Sequence, residues 1–170
     1  MRNVILFIAT SLDGYIAGPA GEIDWLFADQ DYGYTEFLAN VDTVLMGRKT
    51  YDVSLSFGEY PYRGTRGFVW SRTRSGQDAN VTFVSKDVGP FVSALKQETG
   101  RNIWLVGGAE LVAECVRHDL IDEFMIFVHP IILGNGIPLF QAPLPRRTLR
   151  VTQLERFSSG LVQLSYVRAR

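Results

Sequence analysis

The chain has one cysteine, Cys115, and two histidines in 170 residues. A single thiol excludes an internal disulfide and a cysteine-built zinc site. Cys115 shares a helical stripe with Leu111, which reads as a buried, inert thiol. His129 precedes Pro130 with no second ligand nearby and reads as a structural histidine, while His118 falls near a helix C-terminus, where the dipole suits it. No serine–histidine–acid order and no metal-ligand cluster stands out. Excess charge is also missing: the net charge of −1 argues against a nucleic-acid or polyanion partner. No apolar run is long enough to span a membrane. Val4-Ile5-Leu6-Phe7-Ile8-Ala9 is too short, and no small-residue cleavage site follows it. The expectation is a cytoplasmic protein. Repeats, linkers and low-complexity segments are absent too, so residues 1–170 read as one domain, with 46% hydrophobic and 21% charged residues as in ordinary globular proteins.

What is present is organised around Ile103-Trp104-Leu105-Val106-Gly107-Gly108-Ala109-Glu110-Leu111. An unbroken apolar run predicts a strand buried on both faces, at the centre of a parallel sheet. After the glycines, Leu111 and Cys115, then Val112 and Val116, recur at helical spacing. Strand, Gly-Gly, helix puts free N–H groups and a positive dipole end at the carboxyl edge of a sheet, where open α/β sheets bind ligands. The pair reads either as a phosphate corner or as a tight turn, since the dinucleotide motif with three spaced glycines is absent.

Other elements flank this one. Residues 3–10 form a central strand, followed by a glycine-punctuated loop over 11–21. Residues 31–40 read as a helix and 43–46 as a second buried strand. Gly47-Arg48-Lys49-Thr50-Tyr51 then turns into another helix. Strands are predicted over 67–70 and 81–84, with a helix over 90–99. A long apolar strand is predicted over 123–133, with Pro130 marking an edge or bulge. Residues 149–157 and 161–168 alternate around Ser158-Ser159-Gly160 as a hairpin. The front half is β-α-β; the back half is antiparallel.

Three predicted strands end at ligand-facing corners: Gly47-Arg48-Lys49-Thr50, Ser71-Arg72-Thr73-Arg74 and Gly107-Gly108-Ala109. Helix N-termini suit a diphosphate. An arginine suits an additional 2′-phosphate, because a guanidinium pairs with it through two hydrogen bonds. A cofactor without that phosphate is more often met by a carboxylate. The pattern therefore favours NADPH over NADH; the alternative for Arg72 and Arg74 is a solvated loop.

Ser11-Leu12-Asp13-Gly14-Tyr15-Ile16-Ala17, Met46-Gly47-Arg48-Lys49-Thr50-Tyr51, Trp70-Ser71-Arg72 and Ile103 to Ala109 together resemble the dihydrofolate reductase-like superfamily. Within it, the chain resembles most the reductase domain of the riboflavin-biosynthesis deaminase-reductase. Leu120-Ile121-Asp122-Glu123-Phe124 and Pro130-Ile131-Ile132-Leu133-Gly134 carry that branch's pattern. The resemblance implies a three-layer α/β fold with a mixed, mostly parallel eight-stranded sheet and a C-terminal antiparallel hairpin. It also implies NADPH across the carboxyl edge. Ala9 and Ile16 would hold the nicotinamide carboxamide. Gly47, Arg48, Lys49 and Thr50 would meet the phosphates, and Ser71 and Arg72 the 2′-phosphate. Val106, Gly107, Gly108, Ala109, Glu110 and Leu111 would wrap the pyrophosphate. Val106 stands where the branch has a glutamate, and Glu110 stands near a cation of some relatives; a helix N-terminal carboxylate is the other reading of Glu110.

Two acids are catalytic candidates. Family spacing places the first-helix acid at Asp31, which also suits a helix cap. Asp13 belongs to the loop motif, and it is also a turn former before Gly14. Trp25 either flanks the nicotinamide cleft or is a core aromatic. The activity implied is NADPH-dependent hydride transfer to a small heterocycle or a ribosylaminopyrimidine, as in a 5-amino-6-(5-phosphoribosylamino)uracil reductase. The deaminase half is not expected, because its Cys-x-x-Cys zinc motif is missing. The alternatives are dihydrofolate reductase activity and a non-catalytic NADPH-binding protein. Relatives in the branch pair as dimers, so a homodimer is expected.

Overall fold

The computed structural model describes residues 1–169. Eight strands form one sheet in the order β5-β4-β3-β6-β1-β7-β10-β9. Two more, β2 and β8, pair separately; in chain order the first six of all ten strands are β1 (Val4–Thr10), β2 (Tyr15–Ala17), β3 (Val41–Gly47), β4 (Arg66–Trp70), β5 (Val81–Val84) and β6 (Asn102–Gly107). The last four are β7 (Glu123–Val128), β8 (Ile137–Pro138), β9 (Leu149–Arg156) and β10 (Val162–Arg168). The pairs from β5 through β7 are parallel, and β10 is antiparallel to both β7 and β9. The sheet is therefore mixed and mostly parallel, with an antiparallel hairpin at its end, as the family resemblance implied.

The glycine-terminated strand lies in the middle: β6 sits between β3 and β1. Its side chains alternate between two cores. Ile103 and Leu105 enter one with Val4 and Leu6, and Trp104 enters the other with Ile5. Each fully buried Leu or Ile contributes roughly 1.5–3 kcal/mol, so a strand that is apolar on both faces settles only where helices cover both.

Those covers are α1 (Tyr34–Ala39) and α2 (Arg48–Ser56) on the Trp104 face, through Phe37 and Tyr51. On the Leu105 face lie α3 (Val88–Gln97) and α4 (Ala109–Arg117). They bury Val92 and Leu95, and Leu111, Val112, Cys115 and Val116. The predicted apolar stripe of α4 is thus buried in full. Burial pushes the Cys115 thiol up to about 12, which makes it an inert packing group.

Two expectations are corrected. The strand predicted over 123–133 ends at Val128. Pro130 has no N–H to continue a ladder, and the chain instead crosses to the first loop, where Leu12 N–H donates to the Ile131 carbonyl at 2.8 Å. The helix predicted over 31–40 begins at Tyr34, because Tyr32 and Gly33 adopt φ of 55° and 77°. The sequence reading also missed the small antiparallel sheet of β2 and β8.

The amino edge is closed by buried ion pairs. Lys96 Nζ lies 2.6 Å from the Asp122 carboxylate, which also binds Arg168 at 2.7 Å and accepts Val4 N–H at 2.8 Å. Nearby, the buried Arg2 binds Asp42 and Thr43. Asp122, part of the Leu-Ile-Asp-Glu-Phe motif, thus joins α3, β1 and β10.

Candidate active site at the carboxyl edge

β3 and β6 are neighbours, with Met46 opposite Gly107, and each runs directly into a helix. The residue before α2 is Gly47 and the residue before α4 is Gly108; neither helix start carries a side-chain cap. The first turns of both helices therefore keep main-chain donors for an acceptor outside the helix. The two corners adjoin: a Cβ at Gly108 would stand 3.3 Å from Thr50 Oγ1. Gly107 has φ of +129°, which side chains rarely tolerate. The peptide between Gly107 and Gly108 is cis. The positive φ of Gly107 fits the reading as a turn that needs glycine, and a side chain at Gly108 would crowd Thr50. Val106 is half-buried beneath it, while Ala109 and Leu111 are buried.

The rim is cationic. After β4, Ser71 Oγ accepts the N–H groups of Thr73 and Arg74 at 3.2 and 2.9 Å, so it shapes the loop that carries Arg72. The Arg72 side chain is 93% exposed and 3.9 Å from Glu110. Solvent separates such a pair at little cost, leaving the guanidinium available to a ligand. Asp52 holds Arg48 at 3.0 Å and Arg74 at 2.8 Å. Arg48 also begins α2 and Lys49 follows it, so the cations cluster around one helix end. Glu110 lies in the first turn of α4, where the dipole favours a carboxylate.

The opposite wall is built from loops. Ala9 pairs with Phe127 one residue before the ends of β1 and β7, and Ile16 lies in β2. Ser11 Oγ accepts Tyr15 N–H at 2.9 Å and donates to Asp13 at 2.6 Å. Asp13 in turn accepts the N–H groups of Leu133 and Gly134 at 3.1 and 2.8 Å. These bonds, led by Ser11, hold its carboxyl below the usual range. Asp13 is placed at the site but bound as a clamp between two loops. Asp31 accepts from Thr35 Oγ1 at 2.7 Å and from Thr35 N–H at 3.2 Å, at the start of α1. Its carboxyl is also lowered, chiefly by the Thr35 hydroxyl. A carboxylate held ionised is a poor proton donor near neutral pH, so both geometries resemble structural caps.

His129 follows β7 and lies beside Thr10, whose carbonyl accepts its N–H at 2.7 Å. The residue is 3% exposed. Nδ1 lies 3.2 Å from the Phe127 carbonyl, and Nε2 accepts Phe27 N–H at 3.2 Å. Trp25 meets the ring edge-on, with centroids 5.2 Å apart. The sequence marks His129 as structural but does not reveal its distant partner, 102 residues away.

Under this edge lies an aromatic wall. Phe7 stacks on Phe37 with centroids 4.2 Å apart and lies 4.5 Å from Phe127. Away from it, between α1 and residues 63–65, an open cleft of about 330 Å³ is lined by Tyr34, Leu38, Arg63 and Arg101. No helix among the described residues is long and apolar enough to cross a membrane, and no three metal-ligating side chains cluster there.

Comparison with known proteins places this geometry. The chain is 44% identical to the uncharacterised protein YwjB of Bacillus subtilis (strain 168), over 99% of both chains. A crystal structure from Shewanella sp. PV-4, provisionally named for riboflavin biosynthesis, superposes with a TM-score of 0.88 at 34% identity, covering 99% of this chain and 100% of that one. A Thermotoga maritima diaminohydroxyphosphoribosylaminopyrimidine deaminase/5-amino-6-(5-phosphoribosylamino)uracil reductase shares the fold. Its TM-score is 0.75 at 17% identity, over 99% of this chain and 57% of that one. With residues 2–163 matching the family model, the chain belongs to the RibD C-terminal domain family.

Proposed function

We propose that this protein is an NADPH-dependent reductase that transfers hydride to a small heterocycle or ribosylaminopyrimidine, in the manner of a 5-amino-6-(5-phosphoribosylamino)uracil reductase. The observation that carries this reading is the pair of adjoining, uncapped helix starts at Gly47 and Gly108. A dinucleotide diphosphate is the ligand that two such donor sets on neighbouring parallel strands suit best. The 3.3 Å spacing to Thr50 fits the group: the approach to phosphate needs the absent Cβ.

NADPH supplies the hydride when bound; the chain binds, orients and excludes water. Arg48, Lys49 and Thr50 meet the phosphates with the backbone of Gly107 to Leu111. Arg72 meets the 2′-phosphate once it leaves Glu110. Ala9 and Ile16 present backbone to the nicotinamide carboxamide.

The test is NADPH oxidation followed at 340 nm with a panel that contains the ribosylaminopyrimidine and dihydrofolate. Turnover of either supports a reductase and distinguishes the substrate. A second reading, a non-catalytic NADPH-binding protein, has a specific observation behind it: Asp13 and Asp31 are both held as hydrogen-bond acceptors with lowered carboxyls. Tight NADPH binding without turnover of any substrate establishes that reading. Absence of NADPH binding overturns both.

A further inference from the structure

His129 is buried beside the candidate site, yet the proposed reaction does not use its ring. Its two nitrogens face different demands. Nε2 meets an N–H, that of Phe27, and must be an acceptor. Nδ1 faces a carbonyl, that of Phe127, and must be the donor. Both contacts together require the neutral, Nδ1-protonated ring.

The contact has leverage because of what it holds. Phe27 packs on the ring with centroids 4.9 Å apart and Trp25 meets its edge. Both belong to the connection between β2 and α1. That connection has few other long-range ties; one is Tyr32, bonded to Ser159 and packed on Phe157. His129 itself is fixed to the end of β1 through Thr10. One imidazole thus joins the β2–α1 connection to the sheet at the edge where the cofactor is proposed to lie.

We propose that neutral His129 is the positioning residue that latches the Trp25–Phe27 segment against the carboxyl edge, and that protonation of its ring releases the segment. Protonated Nε2 would confront the Phe27 N–H, donor against donor, and the bond is lost. No charged group offsets this. Of the carboxylates on the packed elements, Glu22 is taken by Ala20 N–H, Asp31 by Thr35, and Asp29 by Tyr32. Asp13 is taken by Ser11, Leu133 and Gly134, and Asp24 is exposed. None of them forms an ion pair with His129 among the described residues. Burial lowers the affinity of the ring for a proton in the latched state, outweighing the backbone carbonyls. The sign follows: the latch is fully present above the ordinary histidine value of about 6.5. It weakens as pH falls below that value, because the released state binds the proton more tightly.

The test reads the latch without NADPH, so its outcome is separate from that of the reductase reading. Amide exchange is followed at Phe27 between pH 8 and 5, as a protection factor corrected for intrinsic rate. The wild-type protein is expected to lose about tenfold or more of its protection over that range. His129→Gln supplies an amide oxygen that accepts the same N–H and does not titrate. It is expected to hold protection constant within about threefold. Equal pH dependence in the two proteins overturns the proposal, as does an unprotected Phe27 amide at pH 8. The imidazole ¹⁵N spectrum of the wild-type protein gives a second reading if the variant does not fold. The Nδ1-protonated tautomer at pH 8 supports the latch, and the Nε2-protonated tautomer overturns it.

Discussion

The two edges of the sheet treat charge in opposite ways. At the amino edge, Lys96 and Arg2 are buried and satisfied by Asp122 and Asp42. At the carboxyl edge, Arg72 is nearly bare, Arg48 and Arg74 share one carboxylate, and two helix starts lack caps. Unsatisfied donors cost stability when buried and cost little when wet. The amino edge therefore spends its polar groups on holding strands together, and the carboxyl edge leaves them exposed to solvent. The same contrast explains the loops. Near Asp13 they are bonded to one another, so the wall beside the donors is ordered without being helix or long strand.

Four experiments would break or sharpen this contrast. The largest effect is expected at the amino edge. Asp122→Ala strands the Lys96 ammonium, 9% exposed at its side chain, and removes the acceptor of Val4 N–H. Breaking such a pair costs about 3–5 kcal/mol, measurable by urea unfolding. The folded fraction is expected to bind NADPH normally; a selective loss of binding would end the division of labour between the edges.

Gly108→Val reverses the pattern. Its backbone angles, φ −51° and ψ 168°, suit any residue, so the cost in stability is about 1–3 kcal/mol from the crowding at Thr50. NADPH binding is expected to weaken at least about a hundredfold, roughly 2.7 kcal/mol. Circular dichroism beside cofactor titration checks both halves. A folded variant with wild-type affinity would show the glycines to be only a turn.

Arg72→Ala is expected to do less. The unmodified protein should prefer NADPH over NADH, and this change should remove about tenfold of the preference. That is the lower end for a charge-assisted hydrogen bond, because the guanidinium is so exposed. Equal affinities in the wild type would sink the 2′-phosphate assignment.

The smallest effect on stability is expected at the far edge. Val151 and Leu154 on β9 are 53% and 68% exposed, and β9 is an edge strand. Soluble proteins usually cover such an edge. Sedimentation is expected to give a homodimer, twice 19.1 kDa, and Leu154→Glu to give the single chain with unchanged unfolding. A wild-type protein that sediments as one chain at micromolar concentration would remove the dimer.

How far the sequence could be read depended on the range of the interactions involved. Ile103 to Val106 announced a central strand because an apolar run has few other stable places. Leu111, Val112, Cys115 and Val116 announced the buried face of α4 by their spacing alone, and Gly107-Gly108 announced a corner because glycine tolerates what other residues do not. Each of these is local chemistry. The strand predicted through Pro130 failed because the competing partner, the loop at Leu12, lies far away in sequence. Asp13 and Asp31 were ambiguous for the same reason: a carboxylate's role depends on which donors arrive. Periodicity and glycine placement thus determined the central strand, the buried face of α4 and the glycine corners, while the eight-stranded sheet was legible only through the family resemblance. Tertiary structure alone decided that Asp13 clamps two loops, that Asp122 joins three elements, and that His129 receives the Phe27 N–H. Those bonds cross between distant segments, and no local pattern encodes where a distant donor will come to rest.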